Sequence, residues 1–98
     1  MPPYLDKIVS FQLAEFFSAL SDPSRVRIIA ALLENEANVS ALADIVGISE
    51  SAVSHQMRTL RQMRLVRARR QGRQMFYKLD DAHVADIFQR SLDHIQHD

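Results

Sequence analysis

The sequence predicts a mainly α-helical chain with one two-stranded β-hairpin, and three observations carry that prediction. Apolar residues recur at helical spacing through most of the chain. Two short stretches, 65–69 and 74–79, alternate with period two instead. Glycine, which marks the turns, occurs only at Gly47 and Gly72. The chain has 98 residues, of which 47% are hydrophobic and 24% charged, the balance of a folded protein. That length fits one domain, taken as residues 1–98.

From Leu5 to Leu20 the positions Leu5, Ile8, Val9, Leu13, Phe16, Phe17 and Leu20 follow helical spacing, and Phe11 widens the stripe. A helix this apolar has two sides to bury, one against its own core and one against a partner. Ser21-Asp22-Pro23-Ser24 starts a second helix, with Asp22 as N-cap and Pro23 at the first position, where a missing N–H costs nothing. It runs to about Glu34 with Val26, Ile29, Leu32 and Leu33 inward. Ser40 is placed as the cap of a short third helix, Ala41 to Val46, and Gly47 follows as a residue able to take positive φ. Ile48 anchors the turn and Ser49 caps a fourth helix, Glu50 to about Met63, with Val53, Met57 and Leu60 inward. Two short helices joined through glycine spell helix-turn-helix. The hairpin follows, with Arg70-Gln71-Gly72-Arg73 as its turn. Val66, Ala68, Met75, Tyr77 and Leu79 face the core; Arg67, Arg69, Arg73 and Lys78 face out or sit at the tip. A hairpin after a helix-turn-helix makes a winged helix, in which the fourth helix enters a major groove and the wing touches backbone or minor groove.

Charge supports that reading. The 12 basic and 12 acidic residues cancel, but their distribution is uneven. Residues 58–78 hold Arg58, Arg61, Arg64, Arg67, Arg69, Arg70, Arg73 and Lys78 and no acid, and acidic stretches flank them. A basic block of this kind attracts polyanions even on a neutral protein. The outer face of the fourth helix offers Glu50, Ser51, Ser54, His55 and Arg58. Ser51, Ser54 and His55 have donors for base edges or phosphates, and Arg58, Arg69, Arg70 and Arg73 suit phosphates. Glu50 is an acid near expected phosphates, acceptable where it accepts from a cytosine amine.

Asp80 is placed as the cap of a last helix, Asp81 to about Gln96, with Val84, Ile87, Phe88, Leu92 and Ile95 as its apolar stripe. At about 100° per residue, His83, His94 and His97 fall within about 60° of one another beside that stripe. Asp81 with His83, and His94 with His97, are two close pairs. His83 and His94 are nonetheless about 16 Å apart along a helix at 1.5 Å per residue. A metal ion bonds its ligands at about 2 Å. One helix cannot bring both pairs to one ion, whereas two antiparallel copies can, twice by symmetry. The predicted assembly is therefore a homodimer through the first and last helices, with two identical sites. Three imidazoles and one carboxylate suit Zn(II), or Co(II) as its mimic, as effector ion, two per dimer. Nickel prefers more ligands, and the N-terminal segment offers no histidine to add.

The absence of cysteine excludes thiolate sites, disulfides and a cysteine nucleophile. Four protein ligands also close the metal position against hydrolytic chemistry. An enzyme and an organic small-molecule substrate are therefore not expected. No apolar run is long enough to span a membrane, and no secretory signal opens the chain, so the expected compartment is the cytoplasm.

The stretches Ala19-Leu20-Ser21-Asp22-Pro23-Ser24-Arg25-Val26-Arg27-Ile28, Ser49-Glu50-Ser51-Ala52-Val53-Ser54-His55-Gln56 and Arg69-Arg70-Gln71-Gly72-Arg73-Gln74-Met75-Phe76-Tyr77 resemble the ArsR/SmtB family of metal-responsive winged-helix repressors. The resemblance runs from about Phe16 to His97. It implies an apo dimer that binds a palindromic double-stranded operator and represses metal efflux or storage genes, with metal releasing it. The Asp-x-His and His-x-x-His pattern is similar to the last-helix site of the family's zinc and cobalt sensors and carries over to Asp81, His83, His94 and His97. Ser51, Ser54 and His55 match positions that read DNA in relatives. Many relatives carry cysteine where Asn38 stands, and an N-terminal arm that is missing here, which speaks against cadmium, lead or arsenic. The alternative is a repressor of the same family that answers a different signal, with the C-terminal histidines structural.

Overall fold

The computed structural model describes residues 4–97. Five helices and a small sheet follow in the order α1 (Lys7–Ala19), α2 (Pro23–Glu34), β1 (Ala37–Asn38), α3 (Val39–Val46), α4 (Glu50–Gln62), β2 (Val66–Gln71), β3 (Gln74–Leu79) and α5 (Ala82–Gln96).

Most element starts are set by one capping side chain that accepts an otherwise unpaired N–H. Asp6 accepts from Val9 N–H at 2.8 Å, Asp22 from Arg25 N–H at 3.0 Å and Ser49 from Ala52 N–H at 3.0 Å. Two caps differ from the sequence expectation. Asn38, not Ser40, caps α3: its backbone is already extended in β1, and its Oδ1 accepts from Ala41 N–H at 2.8 Å. Asp81, not Asp80, caps α5, accepting from Val84 N–H at 3.1 Å. Asp80 is drawn the other way. Its N–H donates to the Leu65 carbonyl at 3.0 Å and its carboxylate accepts from Arg67 Nε at 2.9 Å.

The wing is larger than a hairpin. β1 adds to the far side of β3, giving antiparallel order β1-β3-β2 with Ala37 opposite Tyr77 and Asn38 opposite Phe76. β2 pairs with β3 from Val66↔Leu79 to Gln71↔Gln74. The turn is therefore two residues, Gly72-Arg73, with φ +63° at Gly72, as a type II′ hairpin requires at its first central position. The side chains predicted to face inward do so: Val66 and Tyr77 are buried, and Ala68, Met75 and Leu79 pack on them half-buried.

Ile28, Ile29, Leu42, Val46, Val53, Met57, Leu60 and Leu65 are wholly buried and tie α2, α3 and α4 to the sheet. On α2 it is Ile28 that joins Ile29 and Leu32 inside, while Val26 stays exposed and Leu33 half-buried, a rotation of the expected stripe. The core leaves two helices largely uncovered. Only Ala19 of α1 and Val84 of α5 are buried, while Ile8 is 72%, Phe11 65% and Ile95 78% exposed. Apolar surface this extensive marks an interaction face. Among the described residues no helix is long and apolar enough to cross a membrane.

Candidate nucleic-acid interface and metal half-sites

The helix-turn-helix is fixed by Gly47. Its φ of +79° lets the chain reverse after α3, with Gly47 N–H donating to the Ala43 carbonyl at 2.8 Å and Ile48 N–H to the same oxygen at 3.3 Å. Ser49 then starts α4. The inward side of α4 is Val53, Met57 and Leu60, so helical periodicity turns Ser51, Ser54, His55 and Arg58 outward, and all four are exposed.

The wing tip stands beside the start of α4. Glu50 and Ser54 of α4, Asn38 and Ser40 at the start of α3, and Arg73 and Gln74 of the wing line one open groove of about 450 Å³. Asn38 spans it: its Nδ2 donates to Gln74 Oε1 at 2.7 Å while its Oδ1 caps α3. Arg70 and Arg73 are exposed at the tip. Arg69 is engaged elsewhere. Its Nε lies 3.0 Å from both Glu36 carboxylate oxygens, its Nη1 donates to Gln71 Oε1 at 2.7 Å, and its guanidinium stacks 4.9 Å from the Phe76 ring centre. The Arg69 hydrogen bond holds the Glu36 carboxyl below the usual range, and Glu36 raises the Arg69 guanidinium in return.

The metal candidates fall at the two ends of α5. Asp81 Oδ1 lies 3.6 Å from His83 Nδ1, and the His83 side chain is 92% exposed. The Val84 N–H, helped by His83, holds the Asp81 carboxyl below its ordinary value, so it is ionised and available as an oxygen donor at neutral pH. His94 lies in the last turn; His97 is one residue past the helix end with extended backbone, and both are exposed. Among the described residues no three His, Cys, Asp or Glu side chains of the chain gather closely enough to hold an ion. The N-terminal end of α5 thus presents one carboxylate and one imidazole, and the C-terminal end two imidazoles.

Residues 22–68 match the bacterial regulatory proteins of the arsR family. The chain is 40% identical over 93 residues to the HTH-type transcriptional regulator NmtR of Mycobacterium tuberculosis, covering 95% of this chain and 78% of that protein. This chain belongs to the ArsR family. It superposes on the solution structure of apo-NmtR with a TM-score of 0.83 at 38% identity, covering 99% of this chain and 82% of that one. It is 53% identical over 85 residues to a transcriptional repressor SmtB homolog of Synechocystis sp., an alignment that takes in 87% of this chain and 64% of the relative's length. It also matches the homodimeric winged helix-turn-helix DNA-binding domain of Mb0332 from Mycobacterium bovis, TM-score 0.82 at 27% identity, covering 100% of this chain and 96% of that one.

Within this ArsR-family fold, Asn38, Gln74 and Glu36 place the wing, a role the sequence pattern does not assign to them. Their partners lie 36 and 33 residues away. No local pattern announces such pairs. The one available signal was an asparagine three residues before Ala41, the spacing of an N-cap.

Proposed function

We propose that this chain is a metal-responsive transcriptional repressor that works as a homodimer. The observation that carries the reading is the uncovered apolar surface of α1 and α5, with a half-set of metal donors at each end of α5. A second copy laid antiparallel along α5 covers that surface. It also brings Asp81 and His83 of one protomer to His94 and His97 of the partner subunit, twice by symmetry. A homodimeric relative supports the pairing of two copies. The basic wing tip and the exposed face of α4 support double-stranded operator DNA as the partner, read as two half-sites one helical turn apart.

The roles follow from placement. Ser51, Ser54 and His55 read base edges; Arg58, Arg70 and Arg73 bind phosphates. Arg69 reaches phosphate only by exchanging Glu36 for it. The donors of Asp81, His83, His94 and His97 would suit Zn(II) or Co(II), which would link the two α5 helices if bound. Asp81 is held as a carboxylate by the Val84 N–H, and that bond keeps it at the first turn of α5 beside His83. Operator affinity falls when the bridged dimer spaces its α4 helices differently from the DNA-bound dimer, because metal then binds the free state more tightly.

Duplexes selected from a random pool by the apo protein, then titrated with zinc under fluorescence anisotropy, test this. Selection of a palindrome and its release near two ions per dimer is the expected result. Palindrome binding that zinc leaves unchanged contradicts the metal role and favours a different signal. No selected DNA contradicts repression.

A further inference from the structure

Arg25 sits where α1, α2 and α4 meet. Its Nε donates to Gln56 Oε1 on α4 at 2.7 Å, and its Nη1 donates to the carbonyl of Ala19, the last residue of α1, at 3.3 Å. Its own N–H is fixed by the Asp22 cap at 3.0 Å. Glu15, Ser18 and Ala19 of α1 face Thr59 of α4 and Met63, the residue that ends it, across a small cleft of about 150 Å³ that Arg25 also lines. The two helices are therefore not packed tightly there. Among the described residues Arg25 is the one side chain hydrogen-bonded to both. Gln56 lies about 100° or more around α4 from Ser51, Ser54, His55 and Arg58, so it is turned from the face assigned to DNA.

We propose that Arg25 is a positioning residue that sets the tilt of α4 against α1. The inference rests on the repressor reading above. In that dimer α1 belongs to the seam and α4 to the DNA, so the angle between them fixes the distance between the two recognition helices. A planar guanidinium suits the task, because its donors point in fixed directions and tie two acceptors at a set angle. The arrangement also explains a half-buried arginine that lies outside the basic block of residues 58–78.

The test uses the full chain, with the Q56A and R25Q variants and their combination. Q56A removes a half-buried side chain outside the core and is the milder change. In the free protein, the Arg25 Nε–H signal exchanges slowly and shows a nuclear Overhauser contact to Gln56 in wild type. In Q56A it exchanges fast, with resonance shifts running along α4 and into the last turn of α1. Shifts confined to the neighbours of residue 56 overturn the proposal, whether or not the protein binds DNA. On the selected operator, each variant binds about tenfold more weakly, as loss of a charge-assisted hydrogen bond implies. The double variant is no weaker than R25Q, and the slope of log affinity against log salt is unchanged. Additive losses, unchanged affinity, or a slope lowered by about one in R25Q, which marks a phosphate contact, overturn it. Wild type that binds no DNA defeats the repressor reading, and the resonance shifts then decide Arg25 alone.

Discussion

Arg69 closes on Glu36, 33 residues earlier in the chain, and pins the wing to the segment that joins α2 to the sheet. The pair is partly exposed, so its contribution is modest and weakened by salt. Its direction with pH is nonetheless defined. The Glu36 carboxyl is held below its ordinary value, chiefly by the Arg69 hydrogen bond. The stabilisation is full above the unfolded glutamate value of about 4.3 and is lost as pH falls through the lowered one. Thermal melts of wild type and E36Q should keep a constant gap above about pH 5 that narrows toward pH 3. A gap that widens in acid contradicts the pairing.

The core makes a prediction that does not depend on function. Leu60 is wholly buried on the inner side of α4. L60A should cost about 2–5 kcal/mol, the range for deleting a buried leucine side chain. Denaturant unfolding of the intact protein measures it, and a cost under about 1 kcal/mol would place Leu60 at a yielding surface instead.

Arg73 at the wing tip has no protein partner among the described side-chain bonds and ion pairs, so its charge is available to a phosphate. R73A should weaken binding to all duplexes alike and lower the salt slope by about one. S54A should instead change which sequences are preferred. Competition between selected and scrambled duplexes at two salt concentrations separates the two behaviours.

Metal response should depend on pH through imidazole. Asp81 is held ionised by the Val84 N–H, so it does not limit binding near neutrality. A ligand imidazole must be neutral, so protons compete with the metal for it as pH falls. Zinc should therefore release operator at lower concentration at pH 7.5 than at pH 5.5. Equal sensitivity at both values contradicts ligation by histidine.

The sequence was most legible where one residue decides a local geometry. Asp22-Pro23 starts α2, Gly47 turns the helix-turn-helix and Gly72 turns the hairpin, each at the position expected. It was least legible where a choice rests on a distant partner. β1 has only two residues, too few to show alternation, and exists because Ala37 and Asn38 find the free edge of β3. Asp80 and Asp81 are equivalent caps on paper; the Leu65 carbonyl and Arg67 claim Asp80 and leave Asp81 to α5. The outward arginines of β2 look alike in the sequence, yet Glu36 and Phe76 engage Arg69. The separation of His83 from His94 along α5 was readable, because both lie on one helix and helix rise fixes it.

That separation yields the most direct test. A D81A/H83A variant and an H94A/H97A variant each destroy both proposed sites in their own homodimers, and a mixed dimer rebuilds one. Cobalt(II) absorption on the purified mixed dimer should show one tetrahedral site, with none in either homodimer. A mixed dimer as silent as its parents, or a homodimer of either variant that keeps the band, would show that the ion is not held between two chains.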